Sequence, residues 1–446
     1  MAWFRPDTRR DVRQRPRAIV VAAATVTVFG ALGLASAWWF MDQPEQLPLQ
    51  AAVGLLLVFV VVLIIRYALL LWLGYLHHIE SRGTPDDTPA FPPVTIIVPV
   101  YNEAAVVTAA LRSLLELDYP EFEVIVVDDG SSDATFALAS QMQGSHGNVV
   151  VRAVTKTNGG KASALNTGIA LATHSYLVCM DGDSRLTRDS LRHAMRHFAD
   201  PRVGAVAGNV KVVNRNNIWT RLQALEYIEG LNMARRAQGF LRVVNIIPGP
   251  IGIFRRDVML RVGGYDTDTF AEDADLTLKI LTAGWHVTYE QRAVAWTEAP
   301  ESFLALVKQR YRWTRGILQA LRKRASWLWS RRVDAAVRGS VAMMLFEAVI
   351  WPAVSILGNL LFCVAALSTG AAEGVLYWWV LLTMLDVAAA LYSVGMEGED
   401  LRLIPYAVAY RLFFITMVDV TKLFATAEEA ARVRMTWGKL ERAGRI

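Results

Sequence analysis

Long apolar runs at both ends of the chain enclose a central region with shorter apolar and amphipathic stretches. The N-terminal part carries two apolar runs of membrane-spanning length, 18–41 and 47–76. The C-terminal part carries three more, at 341–367, 374–396 and 404–425. This distribution predicts a central domain that lies between groups of membrane helices.

Strand-like and helix-like patterns alternate through the central region. Alternation of this kind is typical of an α/β fold with a doubly wound, mostly parallel sheet, in which ligands bind outside the carboxyl ends of the strands. The predicted strands are 94–100, 123–127, 149–154 and 176–180, and the predicted helices are 104–117, 134–143 and 161–172.

Composition agrees with a membrane protein. Hydrophobic residues make up 54% of the 446 residues, and the mean hydropathy is +0.30, which is high for a soluble enzyme of this length. The net charge of +5 comes mainly from basic residues near the predicted membrane ends, so no nucleic-acid partner is expected. Cys179 and Cys363 lie in apolar segments expected to be buried, and their spacing predicts neither a zinc site nor a disulfide framework.

Basic residues also predict the orientation. Residues 1–17 contain six arginines, which places this tail and, after two spans, the central region in the cytoplasm. A signal peptide is the alternative for the first run, although that run is longer than usual and continues with aromatic residues. Five spans would put the C terminus outside, whereas the basic segment 432–445 favours the cytoplasm. The run 404–425 therefore either crosses the membrane or lies in its interface.

These patterns divide the chain into four parts. The predicted parts are a tail with two transmembrane helices (1–80), an α/β domain (81–300), amphipathic interface helices (301–335), and a membrane region of two or three spans with a basic tail (336–446).

Acidic residues follow the buried strand 176–180. Asp181 and Asp183 supply the carboxylate oxygens that Mg²⁺ or Mn²⁺ prefers, although an Asp-Gly-Asp after a strand is by itself more often a plain turn. Two other predicted strands also end in polar residues, so three strand ends outline one site. Those residues are Tyr101, Asn102 and Glu103 after the first strand, and Asp128 and Asp129 after the second.

The acidic character of this site limits what it can bind. Neither G-x-G-x-x-G nor G-x-x-x-x-G-K-[ST] occurs in the chain. An acidic site holds a nucleotide diphosphate only through a divalent cation, which is the role predicted for Asp181 and Asp183. Asp128 and Asp129 are candidates for hydrogen bonds to a base or ribose, or alternatively belong to a turn before a capped helix.

Two further clusters carry candidate chemistry. Residues 271–275, Ala-Glu-Asp-Ala-Asp, open a helix predicted over 276–283 and supply a carboxylate for a general base, although acids in a first turn also simply favour the helix dipole. Residues 308–316 contain Gln309, Arg312 and Trp313 on an amphipathic stretch. A basic, aromatic interfacial helix explains most of that composition, whereas an indole face against a sugar and a guanidinium against phosphate explain the particular residues.

In this order, the motifs resemble those of the membrane-embedded, processive family 2 glycosyltransferases, which include cellulose, hyaluronan and poly-N-acetylglucosamine synthases. The resemblance covers about residues 94–316. It implies a nucleotide-sugar-binding domain of the GT-A type, a divalent cation (Mg²⁺ or Mn²⁺), and inverting β-transfer from a UDP-sugar, with UDP-N-acetylglucosamine favoured. It also implies a multi-pass protein of the bacterial inner membrane whose cytoplasmic domain builds a polysaccharide that passes across the membrane.

The resemblance assigns roles to individual residues. Asp273 corresponds to the catalytic base, although Ala271 stands where the family has threonine. The segment 158–166 is similar to the family's G-K-x-x-A-L-N motif and 248–250 to its S-G-P loop. The implied donor-binding residues are Tyr101, Glu103, Asp128, Asp129, Lys161, Asp181 and Arg312; the acceptor-binding residues are Gln309, Trp313, Glu272 and Gly249; the metal ligands are Asp181 and Asp183.

Two alternatives remain at this point. One is a non-processive membrane glycosyltransferase that modifies a lipid, against which Trp313 and its motif argue. The other is a non-catalytic membrane scaffold or transporter, which would leave the three aspartates Asp181, Asp183 and Asp273 unexplained. The expected partners are a UDP-sugar, the growing glycan, membrane lipid and a small membrane subunit if one is required.

Overall fold

The computed structural model describes residues 47–83, 91–369 and 372–433, and two single positions, 27 and 31, before them. The predicted span 18–41 and nearly all of the basic segment 432–445 lie outside the described residues. The described chain consists of an α/β domain with apolar helices before and after it.

The domain is built on one mixed sheet of nine strands within the described ranges. The strands are β1 (Val94–Val100), β2 (Phe122–Asp128), β3 (Gly144–His146), β4 (Val149–Thr155), β5 (Tyr176–Cys179), β6 (Ser184–Leu186), β7 (Val203–Val212), β8 (Gly252–Arg255) and β9 (His286–Thr297). Their order is β3-β4-β2-β1-β5-β8-β7-β9-β6. The segment β4-β2-β1-β5 is parallel, as is the β7–β9 pair, and the remaining pairs are antiparallel.

Helices cover both faces of this sheet and extend beyond it. In chain order they are α1 (Leu47–Gly83), α2 (Val107–Leu115), α3 (Thr135–Ser140), α4 (Lys161–Leu171), α5 (Ser190–Met195), α6 (Ile218–Glu226), α7 (Met233–Phe240), α8 (Arg256–Arg261), α9 (Glu272–Thr282), α10 (Phe303–Lys323), α11 (Ala335–Leu345), α12 (Trp351–Thr369), α13 (Ala372–Glu397), α14 (Tyr406–Ala409) and α15 (Ile415–Ala430). A π-helical turn joins α6 to α7, α11 to α12, and α14 to α15.

The central strands explain the continuous apolar runs of the sequence. In β1, Ile96 and Val98 pack into the core on one face of the sheet, while Ile97 packs into the core on the other. A strand buried on both faces needs apolar residues at successive positions rather than at alternate ones. The predicted α/β fold and its parallel strands are confirmed, and β1 has the predicted bounds.

Helix ends differ more from the prediction. The predicted helix 104–117 is observed over Val107–Leu115, because the chain after β1 first turns through Asn102, whose φ is +50°. The predicted helix 134–143 ends at Ser140, and the chain then forms the short edge strand β3. Cys179 is buried as expected, whereas Cys363 is exposed on the outer surface of α12.

Four helical segments among the described residues are long and apolar enough to cross a membrane. They are Val61–Ser81, Ala335–Leu361, Trp379–Glu397 and Leu401–Ala430. The first three match predicted runs on either side of the domain, in agreement with a membrane-associated protein.

The last of these segments lies along the α/β domain. Near its start, the Tyr406 ring centroid lies 5.5 Å from Cζ of Arg221 on α6. Near its end, the carboxylate of Glu429 lies 2.7 Å from Nε of Arg315 on α10. The segment therefore contacts α6 of the α/β domain and α10, which follows that domain.

Candidate active site

The sheet brings three polar strand ends together. In the parallel register, Val100 pairs with Asp128, and Ile97 of β1 pairs with Cys179 of β5. The residues that follow β1, β2 and β5 therefore leave one edge of the sheet side by side. This is the position at which doubly wound sheets bind ligands.

Asp128 and Asp129 are almost fully buried, at 1% and 3% exposure. The carboxylate of Asp129 accepts hydrogen bonds from the backbone N–H groups of Gly159 and Gly160 and lies 2.8 Å from Nζ of Lys156. Asp128 accepts a hydrogen bond of 2.7 Å from the Thr155 hydroxyl. These carboxylates hold the loop that precedes α4, which the sequence analysis did not anticipate.

Glu103 lies next to the Asp-Gly-Asp motif. A Cβ built on Gly182 would be 2.2 Å from Oε2 of Glu103, so only glycine fits between the ends of β1 and β5. Tyr101, in the same loop as Glu103, is exposed. Asp183 is buried, at 4% exposure.

Lys161 forms ion pairs with carboxylates from two elements. It is the first residue of α4, and its ammonium nitrogen lies 2.6 Å from Asp181 and 2.9 Å from Glu272. Burial by itself lowers the pKa of this lysine, but the surrounding carboxylates raise it well above its ordinary value. Lys161 therefore stays charged and connects the β5 end to the start of α9.

Asp273, the predicted catalytic base, lies in the first turn of α9. Its carboxylate accepts a hydrogen bond of 2.7 Å from the N–H of Ala274. Burial and the neighbouring Glu272 carboxylate raise the pKa of Asp273 to about 6, against the opposing charge of Lys161. A carboxylate with a raised pKa is a stronger base than a free one and is suited to accept a proton near neutral pH.

The loop before α9 is held from the α4 side. The Asn166 side chain accepts a hydrogen bond from the N–H of Tyr265 and donates one to its carbonyl, at 2.9 and 2.8 Å. Asn166 is the last residue of the K-x-x-A-L-N segment that starts at Lys161. One helix therefore positions both the lysine and the chain that leads to Asp273.

Helix α10 carries Gln309, Arg312 and Trp313 to the same region. A Cβ on Gly316 would lie 2.5 Å from the backbone nitrogen of Ala271, so the glycine allows α10 to touch the start of α9. Farther along, Lys323 lies 2.8 Å from Asp266 and joins the same two parts of the chain. The A-E-D and Q-x-x-R-W motifs are thus packed directly against one another.

Arg310, between the motif residues, is also part of this arrangement. Its guanidinium lies 4.3 Å from the centroid of the Trp313 ring, which supports the indole from one side. It forms an ion pair with Glu226 and a hydrogen bond with the Gln309 side chain. These contacts hold Gln309 and Trp313 in fixed orientations.

The two motifs line a common pocket of about 230 Å³. Eight of the predicted site residues line this pocket. The lining residues do not include Tyr101, Glu103, Asp128, Asp129 or Asp183. It also contains Tyr227 and Arg235 of the α6–α7 helix, which no sequence motif singled out. The predicted residues in the pocket are Lys161, Asp181, Gly249, Glu272, Asp273, Gln309, Arg312 and Trp313.

The Asp-Gly-Asp segment after β5 carries carboxylate oxygens of the kind that a divalent cation prefers. Within the described residues, no group of three or more histidine, cysteine, aspartate or glutamate side chains is arranged to hold a metal. A cation of the Mg²⁺ type nevertheless needs only one or two carboxylates when water and substrate phosphates complete its coordination. Asp181 lines the pocket, whereas Asp183 is buried and does not line it. The assignment of the two carboxylates as cation ligands therefore stays a prediction.

A second polar cavity, of about 170 Å³, lies between the α6–α7 helix and the apolar helices. Arg66 and Glu347 line it and form an ion pair of 3.0 Å. Arg411 also lines it and binds Asp386, with Nη2 and Oδ1 2.8 Å apart. Leu231 lines both this cavity and the active-site pocket, so the two are neighbours.

Replacing Gly249 with alanine is expected to raise the KM for the sugar donor by at least about tenfold. The added Cβ would lie 2.8 Å from Oδ2 of Asp181 and 2.9 Å from Nζ of Lys161, so this ion pair would have to move. Gly339→Ala is the matched control, since its Cβ would meet no atom within 4 Å. Equal kinetic changes in the two variants, measured at steady state, would contradict this account.

Comparison with known proteins gives consistent results. The family described as "Glycosyltransferase like family 2" matches residues 92–316. Poly-β-1,6-N-acetyl-D-glucosamine synthases of Staphylococcus epidermidis and Staphylococcus aureus are 34% identical to this chain over 224 residues, which cover 50% of this chain and 54% of theirs. The match thus spans about half the length of these curated relatives.

A solved structure supports the fold. The mannosyltransferase PcManGT from Pyrobaculum calidifontis, in complex with GDP-Man and Mn²⁺, is similar with a TM-score of 0.58 and 23% sequence identity. The similarity covers 81% of this chain and 99% of that one. It confirms the predicted GT-A type of fold.

Proposed function

The chain belongs to glycosyltransferase family 2, and from that premise we propose that it is a processive, inverting β-glycosyltransferase that polymerises a sugar from a UDP-sugar. The observation that carries the proposal is the single pocket in which Asp273 of the A-E-D motif faces the same space as Gln309, Arg312 and Trp313. A general base and a flat aromatic wall in one pocket suit a sugar acceptor that stays bound through successive transfers.

The proposed donor is UDP-N-acetylglucosamine. Its support is the printed name of the relatives, which are poly-β-1,6-N-acetyl-D-glucosamine synthases. Because the match spans about half of their length, the donor and the linkage belong to the proposal. Tyr101, Glu103, Asp128 and Asp129 are proposed to act on the nucleotide side, where the Asp129 carboxylate also holds the loop of residues 156–160.

The proposed reaction is one in-line displacement. The acceptor hydroxyl oxygen attacks the anomeric carbon of an α-linked donor, its proton passes to Asp273, and the bond to the diphosphate oxygen breaks, which leaves a β-linkage. Lys161 and Arg312 are proposed to stabilise the charge that develops on the leaving UDP. A divalent cation held by Asp181 and Asp183 would supply further charge stabilisation at the diphosphate.

The product is proposed to leave through the membrane helices. A polar glycan crosses a bilayer only along a protein-lined path, and the polar cavity beside Leu231 lies where such a path would begin. The segment Leu401–Ala430 contacts α6 and α10, and we propose that it lies in the membrane interface with the C terminus on the same side as the domain. We propose that the domain lies on the cytoplasmic side of a bacterial inner membrane and contacts its lipid.

Incorporation of labelled sugar tests this proposal. The full chain, in membranes with Mg²⁺ or Mn²⁺, is supplied with a panel of UDP-sugars, and the products are separated by size. Long polymer from UDP-N-acetylglucosamine is the expected result. A short lipid-linked product would instead indicate the non-processive alternative, and polymer from another donor would correct the substrate. Activity that appears only after a small membrane protein is added would establish the partner subunit.

A further inference from the structure

Arg235 is a buried arginine in the wall of the active-site pocket. It lies on α7 and is 8% exposed. Its Nε donates a hydrogen bond of 3.3 Å to the carbonyl of Ile246, and its Nη1 donates one of 3.1 Å to the Asn232 side chain. Both acceptors are neutral, so the guanidinium charge is not balanced by these contacts.

The other buried arginines of the described chain each have a carboxylate partner. Five arginines are buried there, and Arg235 is the one that forms no ion pair. Burial of a charge is costly unless it is paired or hydrogen-bonded, so an arginine retained without a carboxylate indicates a ligand with oxygen acceptors. The partnered residues are Arg236 with Glu397, Arg310 with Glu226, Arg315 with Glu429, and Arg324 with Asp275.

The surroundings of Arg235 suit a sugar. Tyr227, Leu231 and Arg235 are spaced four residues apart along the helix, and all three line the pocket. The Tyr227 ring lies beside the indole of Trp313, with centroids 6.4 Å apart. Aromatic faces pack against the C–H groups of a sugar, while a guanidinium, which is only a donor, binds its hydroxyl and carbonyl oxygens.

Arg235 also lies near the reacting groups. Arg235 and Asp273 line the same pocket. The carbonyl that accepts from Nε belongs to Ile246, two residues before the Pro248-Gly249-Pro250 loop that lines the same pocket. Oxygen atoms held by Arg235 would therefore lie on the helical wall of the pocket, with the acceptor hydroxyl directed toward Asp273.

We propose that Arg235 binds the acceptor: its N–H groups not used by Asn232 and Ile246 donate hydrogen bonds to oxygen atoms of the terminal sugar of the growing chain. This inference rests on the proposed function of the pocket. It adds a specificity-determining residue that no motif of the sequence identifies. The competing roles are a contact to the donor diphosphate and a purely structural attachment of the loop after Ile246.

Kinetics of Arg235→Gln and Arg235→Lys in the full membrane-bound chain separate these roles. For the glutamine variant we expect the KM for a β-linked N-acetylglucosamine oligomer to rise about tenfold, since a hydrogen bond from a charged group is lost. The lysine variant keeps the charge without the planar fork and is expected to fall between this variant and the wild type. The KM for UDP-N-acetylglucosamine and the release of UDP without acceptor are expected to stay within about twofold of wild type.

The control is Arg242→Gln. Arg242 follows the same helix but pairs with Glu80 and bonds to Thr288, and its replacement is expected to leave the acceptor KM unchanged. A rise in the donor KM of the Arg235 variants would overturn the proposal in favour of a diphosphate contact. Parallel losses in all three measurements, together with a lower melting temperature even for Arg235→Lys, would overturn it in favour of a structural role.

The wild-type kinetics with the oligomer as acceptor distinguish failure of this inference from failure of the proposed function. If the wild type adds a single sugar to the oligomer, processivity is wrong, but the acceptor KM values still test Arg235. If the wild type uses no oligosaccharide acceptor, both the proposed function and the acceptor role of Arg235 are contradicted.

Discussion

Replacement of Asp273 with asparagine is expected to lower sugar transfer about a thousandfold. The amide keeps the size of the side chain and can still accept the hydrogen bond from the N–H of Ala274, which is 2.7 Å long. It cannot take up the proton of the attacking hydroxyl. Since the other pocket groups remain in place, binding of the donor is expected to persist, so the loss should appear in kcat rather than in the donor KM.

The rate of UDP release with acceptor, measured in membranes, checks this expectation. Asp257→Asn is the matched control, because Asp257 is exposed and forms only a surface pair of 3.2 Å with Arg261. A variant at Asp273 that retains a tenth of the activity would contradict the assignment and make Glu272, the neighbouring pocket carboxylate, the next candidate for the base.

The same assignment predicts the pH dependence. Asp273 acts as a base only when it is ionised, and its pKa is raised to about 6 by burial and by Glu272. We therefore expect kcat/KM to decrease as the pH falls through about 6, by about tenfold per pH unit below it. A divalent cation at Asp181 favours ionised carboxylates and shifts this midpoint to lower pH. The acidic limb is expected to be absent from the residual activity of Asp273→Asn.

Removal of divalent cations is expected to reduce transfer at least about a hundredfold. Asp181 and Asp183 are proposed to hold a cation that is shared with the diphosphate of the donor, and Lys161 and Arg312 are proposed to supply the other positive charge at the leaving group. Activity after treatment with a chelator, followed by titration with Mg²⁺ or Mn²⁺, measures this effect and identifies the preferred metal.

The variant Asp181→Asn tests whether Asp181 is a ligand of the metal. This variant is expected to need a higher metal concentration for half-maximal activity, because one anionic ligand is lost. Asp257→Asn, remote from the pocket, should titrate like the wild type. Full activity in the presence of chelator would contradict the metal assignment and would leave Lys161 and Arg312 to stabilise the leaving group.

Local patterns determined much of the fold. The strand 94–100 was predicted with its observed bounds because a strand buried on both faces is apolar at every position. Helix ends were less predictable: the chain between β1 and α2 is shaped by a hydrogen bond from the Glu103 N–H to the Thr135 hydroxyl, and these residues are 32 positions apart. A contact between such distant positions leaves no periodic signal.

The candidate site shows the same division. Motif spacing identified Asp273, Gln309 and Trp313, because each belongs to a short pattern of consecutive residues. Motif spacing predicted that Asp129 binds a nucleotide. It could not show that the Asp129 carboxylate accepts hydrogen bonds from the N–H groups of Gly159 and Gly160, which are 30 and 31 residues away. No sequence pattern identified Arg235. An arginine in a helix of mixed polarity is surrounded by the same kinds of residues in the sequence whether its side chain faces a pocket or pairs with a carboxylate.

The sequence by itself determined the order of elements, the membrane-length apolar runs and the residue types available for catalysis, since these depend on composition and short-range periodicity. Only the tertiary structure decided which of these residues share one pocket, that α10 touches the start of α9 through Gly316, and that Leu401–Ala430 contacts α6 and α10. These features depend on packing between segments far apart in the chain. Hydrophobicity alone does not distinguish a helix surface that faces lipid from one that packs against protein.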